Sequence, residues 1–361
     1  MKRIFLFIIL TTCIIGTSCR NSKWDSPDYD TSAVYFAYQY PVRTITLGTD
    51  YVYDNALDNE YKCQIMATVG GFSEIRNDIE IGFEIDDTMC DNLANVEAMP
   101  REWYTLSDNK IIIEKGSKHI GGVVVQLNDA FFADPKAIET NYVIPLRMTN
   151  VKNADGILSG RPSSIATSPN RFVPSDWEVV PKDFILYGVK YINKWDAVYI
   201  RRGEDIFTIN NIPYSPIIRR GEYREYDDLI KINTLSFNEL EIPMDYKTLA
   251  GVNLNIKFKM TFTGDECVLS TMDTEYFLPP PNQNTRVSNI TVSGGGRYVK
   301  DGDKKSWGNK DRDALYLEYA VSFTVNIGAQ IPQNFRYNTT DTLALRDRSI
   351  KAEFFSPVLT P

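Results

Sequence analysis

Residues 252–262 read Val-Asn-Leu-Asn-Ile-Lys-Phe-Lys-Met-Thr-Phe, and every second side chain is apolar: Val252, Leu254, Ile256, Phe258, Met260 and Phe262. Successive side chains of a strand point to opposite faces, so a strict period of two marks a half-buried strand. Leu315, Leu317, Tyr319, Val321, Phe323 and Val325 repeat the pattern against Glu318, Ser322, Thr324 and Asn326. Runs of this length exceed the usual five or six residues and suit a meander curling into a barrel.

Phe184–Ile192 and Trp195–Arg201 read as further strands that open this second half. Before them, residues 151–182 lose all periodicity and collect Gly156, Gly160, Pro162, Pro169 and Pro174, which marks a linker. Earlier still, Tyr61, Cys63, Ile65, Ala67 and Val69 share one face, and Ile79, Ile81, Phe83 and Ile85 share another. Val34–Tyr38, Thr44–Leu47, Lys110–Ile113, Gly122–Leu127 and Tyr142–Met148 add short apolar runs between Gly, Asn and Asp clusters. Helical periodicity is confined to a turn or two near Ala130–Ile138. The expected fold is all-β: an immunoglobulin-like antiparallel sandwich over 33–150, a linker over 151–182, and a lipocalin-like barrel or sandwich over 183–361.

The N-terminus carries Lys2-Arg3, the apolar run Ile4–Leu10, and Gly16-Thr17-Ser18 before Cys19. This is the pattern of a signal peptide, residues 1–18, too short to span a bilayer and cut before Cys19. A cysteine at the first mature position is a lipidation site, and several acyl chains make stable anchoring. Residues 19–32, polar with Asp25, Pro27, Asp28 and Asp30, form the tether. Removing Lys2 and Arg3 with the leader takes the formal charge from −8 to −10. So acidic a chain argues against nucleic acid as a partner. Cys63, Cys90 and Cys267 are too few for a disulfide framework; a Cys63–Cys90 bridge and free buried thiols are both open.

Catalytic material is sparse. His119 is the one histidine, which removes histidine triads and multi-histidine metal sites. A glycosidase needs only two carboxylates, but Asp86-Asp87, Asp227-Asp228, Asp301 and Asp303 read as solvated turn residues. Gly294-Gly295-Gly296 lacks the helix and lysine of a phosphate loop and reads as a turn or bulge. Aromatics are more informative, with 21 tyrosines and 5 tryptophans. Sugar rings have apolar C–H faces and hydroxyl rims, so a flat aromatic beside Asp, Asn or Arg suits them. Trp307 lies in a charged stretch read as a loop, with Tyr298, Asp301 and Arg312, and either caps the barrel or faces a ligand. Trp103 and Trp195 are further candidates, Trp195 sharing a strand face with Ala197 and Tyr199.

The lipobox, the opening Ala33-Val34-Tyr35-Phe36, the strand Tyr142–Met148 and the stretch Ser306–Leu315 together resemble two-domain surface lipoproteins of Bacteroidetes. That family joins an N-terminal domain of unknown function to a C-terminal β domain. The resemblance implies genes beside starch-utilisation-type glycan importers and a place on the outer membrane, facing the cell surface. The expectation is a non-catalytic glycan-binding lipoprotein of a polysaccharide-utilisation system, without cofactor or metal. Its partners would be a polysaccharide or oligosaccharide, the outer-membrane transporter complex, and the membrane through the lipid. A structural or adhesin-like accessory lipoprotein and a glycoside hydrolase are the alternatives.

Overall fold

The computed structural model describes residues 29–328 and 330–360. The expected leader, the lipidation site Cys19 and most of the tether lie outside the described residues.

The first half is a sandwich. One sheet runs in the order Gly156–Ile157, Ala33–Tyr35, Lys62–Gly70, Ile120–Leu127, Tyr104–Leu106. The other runs Glu353–Phe354, Pro41–Thr46, Phe184–Ile192, Tyr142–Lys152, Ile79–Ile85, Lys110–Ile113. Ile65, Val69 and Val125 from the first sheet meet Ile81, Ile144 and Val189 from the second in one buried core. Alternation along each strand supplies these inward residues.

The expected sandwich is present, and one expected bound shifts. Pairing is mostly antiparallel, but Pro41–Thr46 runs parallel to Phe184–Ile192, and Ala33–Tyr35 parallel to Gly156–Ile157. The expected boundary moves. Phe184–Ile192, assigned to the second half, is a central strand of the sandwich, and the supposed linker gives the sandwich an edge strand at Gly156–Ile157. The reason is visible in Phe184–Ile192, a nearly unbroken apolar run buried on both faces. Ile185, Tyr187 and Val189 fill the main core, while Phe184 and Leu186 join Met89, Leu93 and Val143 in a second, smaller one. The C-terminus returns to this half: Glu353 and Phe354 pair with Val42 and Pro41, and Phe355 packs on Tyr40.

The second half is a closed barrel. Ala197–Ile209, Asp228–Thr234, Glu239–Lys247, Asn253–Thr263, Glu266–Thr271, Thr285–Trp307, Lys310–Ile327 and Gln333–Asp347 pair antiparallel in chain order, and the last pairs back to the first. An eight-stranded barrel is wide enough to fill with side chains or to hold one small ligand. Both stretches with the clearest alternation lie in it, and Leu254, Ile256, Phe258, Leu315, Leu317 and Val321 are buried inside.

The charged stretch from Tyr298 to Arg312, read as a loop, is the end of a hairpin instead. Trp307 pairs with Lys310 across Gly308 and Asn309, whose φ values of 60° and 56° suit a tight hairpin turn. Register shifts between Val299, Asp303 and Trp307 break the period-two signal, which hid the strand. The glycine run is also inside a strand, not at a turn. A Cβ on Gly295 would lie 2.2 Å from the Cys267 carbonyl oxygen, and one on Gly296 would lie 1.9 Å from that of Tyr316. Both neighbouring strands press on this point.

The halves are tied by Arg348, which is 2% exposed. Its guanidinium donates to the Thr49 carbonyl at 3.0 Å and to those of Asp196 and Lys194 at 2.7 Å each. Gly48, at φ 84°, leaves room for it: a Cβ there would sit 2.7 Å from an Arg348 nitrogen. Cys63, Cys90 and Cys267 are free and buried, which settles the open bridge.

Candidate functional site

The barrel wall is incomplete at one place. Asp228–Thr234 and Glu239–Lys247 are paired only through Asn233 with Glu241 and Thr234 with Leu240. Beyond that point the strands part, and Pro243, which has no N–H to offer a neighbour, stands on the unpaired stretch. The gap opens a cleft of about 700 Å³ between Asp228, Leu229 and Ile230 on one side and Pro243, Asp245 and Tyr246 on the other. That volume is in the range of small-molecule sites.

One wall is aromatic. Tyr214 stacks on Phe207 with centroids 5.5 Å apart, and Phe207 on Tyr337 at 5.0 Å, with interplanar angles of 17° and 9°. Tyr214, 39% exposed, is the outermost ring.

The floor is charged. Arg201 Nε donates to Asp341 Oδ2 at 3.0 Å, and Tyr319 Oη donates to the same oxygen at 2.8 Å. Arg219 Nη2 donates to Asp341 Oδ1 at 2.6 Å and its Nη1 to Asp205, whose other oxygen accepts from Thr339 Oγ1 at 2.7 Å. Arg219 arrives on a flap: Ile217–Arg219 pairs with Gly203–Asp205 along the edge of the first barrel strand. Gly203 makes this approach feasible, since a Cβ there would fall 2.2 Å from Asp341 Oδ1. Asp227, with its side chain fully buried, pairs with Arg202 and accepts from Gly221 N at 2.8 Å, pinning the far end of the flap.

Two polar atoms of the floor have no partner among the described residues: Arg219 Nε and Tyr246 Oη. Burial, with the nearby Tyr319, pushes the Tyr246 hydroxyl well above its usual pKa, so it stays a neutral donor. Burial likewise pushes up Tyr319, with Asp341 adding to the effect. For Arg201, burial opposes the charge, but Tyr319 and Asp341 outweigh it and hold the pKa above normal. Among the described residues, no group of three or more His, Cys, Asp or Glu side chains is placed to hold a metal ion.

The residues singled out from the sequence lie elsewhere, in three groups. Tyr298, Asp301 and Arg312 come together, but at the joint between the halves. Tyr298 donates to Asp313, the Asp301 amide donates to Asp313 Oδ1 at 2.9 Å, and Arg312 sits 4.1 Å over the Tyr51 ring. Trp307 joins this group through its carbonyl, which accepts from Arg312 Nε at 3.3 Å. Trp195 is 5% exposed, stacked on Phe262 at 3.7 Å, with Lys194 Nζ 4.5 Å over it. It lines a second cleft, of about 430 Å³, between the halves beside Tyr61 and Phe237. Trp103 packs edge-on against Tyr142 at 5.1 Å beside the sandwich core. The cleft residues did leave a sequence signal. Arg201 and Asp205 occupy inward positions in line with Tyr199 and Phe207, and Asp341 does so between Tyr337 and Leu343. A charge on the apolar face of a strand is uncommon unless it is paired.

Fold and site together define a two-domain all-β protein whose C-terminal barrel carries a cleft sized for a small ligand. The chain belongs to a two-domain Bacteroidetes family: residues 194–349 match a model described as a domain of unknown function (DUF5627), and residues 29–155 match an N-terminal domain model. A solved structure of unknown function from Bacteroides ovatus is 38% identical over 91% of this chain and 100% of that one, with a TM-score of 0.76. An auxiliary nutrient binding protein from Bacteroides thetaiotaomicron is 13% identical over 88% of this chain and 95% of that one, with a TM-score of 0.35. A candidate carbohydrate binding protein from Bacteroides ovatus is 10% identical over 91% and 100%, with a TM-score of 0.26. At those two scores the superpositions carry nothing further. No curated protein matches the chain.

Proposed function

We propose that the protein is a glycan-binding lipoprotein of the outer membrane, anchored through Cys19 and binding sugar without transforming it. The observation that carries this reading is the pairing, in one cleft, of a stacked aromatic wall with a floor of buried Arg and Asp side chains. Aromatic faces match the C–H face of a sugar ring, and fixed charged groups give its hydroxyls strong hydrogen bonds. Binding without turnover fits the state of the acids. On the floor, Asp205 and Asp341 are both engaged in ion pairs with arginines.

The test is affinity electrophoresis of the whole chain through gels containing xylan, mannan, glucan or arabinan, followed by product analysis. Retardation by at least one polysaccharide with no released oligosaccharide is the expected result. Migration unchanged in every gel would sink the reading, and product formation would replace it with a hydrolase. Anchoring is tested separately: metabolic labelling with a fatty acid should mark the protein, and the Cys19→Ser variant should lose the label.

A further inference from the structure

We infer that the cleft receives the end of a neutral glycan chain, an inference that rests on the glycan reading and adds which part of which kind of glycan is bound. Three observations carry it.

The first is closure. Below Arg201, Asp341 and Tyr246 the barrel is filled by Leu240, Ile242, Phe258 and Leu345, all 0% exposed. A chain that reaches the floor cannot continue through the barrel. The second is charge. Arg201 and Arg219 are matched on the floor by Asp205 and Asp341, and the rim sets Lys247 against Asp228 and Asp245. No surplus cation is left for a uronate, and the chain as a whole carries −8. The third is the pair of unpartnered atoms. Tyr246 is 6% exposed, the Arg219 side chain 10%, and both Tyr246 Oη and Arg219 Nε lack a hydrogen-bond partner among the described residues. Arg219 Nε is a donor only, and the hydroxyl donates as well, so the complementary ligand atom is an acceptor oxygen. A hydroxyl or ring oxygen of a neutral terminal sugar supplies it.

The experiment is calorimetric titration of the whole chain with whichever of xylan, mannan, glucan or arabinan retards it. The titration is repeated with the same mass of that polysaccharide after cleavage by an endo-acting glycosidase, and with polygalacturonate. End recognition predicts that binding sites per unit mass rise in proportion to the number of chain ends, and that polygalacturonate does not bind. Tyr246→Phe, which removes only the unpartnered oxygen, should weaken binding about tenfold while leaving resistance to urea unchanged or higher. Sites per mass that stay level or fall on cleavage, preference for polygalacturonate, or unaltered affinity of Tyr246→Phe would each overturn the inference and leave glycan binding standing. Absence of heat with every polysaccharide would overturn both.

Discussion

Asp341 is the residue on which the cleft floor turns. It is 1% exposed and accepts from Arg201, Arg219 and Tyr319 at once. Breaking a buried ion pair by removing one partner strands the other charge, at a cost of about 3–5 kcal/mol. Asp341→Ala should therefore lower unfolding stability by roughly that amount in urea, because it strands the buried Arg201 guanidinium and leaves Arg219 with Asp205 alone. A loss below about 1 kcal/mol would mean that water reaches the arginines and that the floor is not the closed network described. The residue level is also where the sequence was least legible. Tryptophans in polar surroundings draw attention, yet Trp195 and Trp103 pack inward against Phe262 and Tyr142. The informative signal was the reverse pattern, charges at the inward positions 201, 205 and 341 of otherwise apolar strand faces. Arg219 leaves no such signal, since its strand is three residues long and the residues before it are exposed.

At the scale of elements, the alternation in 252–262 and 315–325 made the barrel strands legible, because their inner faces are uniformly apolar and their outer faces polar. The same rule failed where the backbone departs from it. The bulged end of the strand Thr285–Trp307 read as a loop, and the glycines in its middle read as a turn or bulge. Those glycines report crowding between strands, which leaves no trace in periodicity. Gly296→Ala places a methyl 1.9 Å from the Tyr316 carbonyl oxygen. Forced overpacking of this kind costs about 1–3 kcal/mol, so the variant should unfold earlier in urea by that margin. An unchanged midpoint would show that the two strands can separate freely there.

Across the whole molecule, the sequence showed two halves but misplaced the seam. The apolar run 184–192 does not announce which sheet it enters, and the return of Glu353–Phe354 to Pro41–Val42 depends on the three-dimensional path of the chain. The seam is held by Arg348, buried among three carbonyls. Arg348→Ala leaves these acceptors unmet, a loss of roughly 3 kcal/mol. Scanning calorimetry should then show the sandwich and barrel unfolding in two separate transitions, whereas a single unaltered transition would mean that the halves are coupled by other contacts.

The barrel cleft is the proposed glycan site. Calorimetric titration of a retarding polysaccharide into the whole chain, the Tyr214→Ala variant and the Trp103→Ala variant tests this assignment most directly. Tyr214 supplies the exposed ring of the aromatic wall, and Trp103 packs in the sandwich away from it. Affinity should fall at least about tenfold in Tyr214→Ala and stay unchanged in Trp103→Ala. Full affinity in Tyr214→Ala, with binding lost in Trp103→Ala, would contradict the assignment and move the site to the N-terminal half.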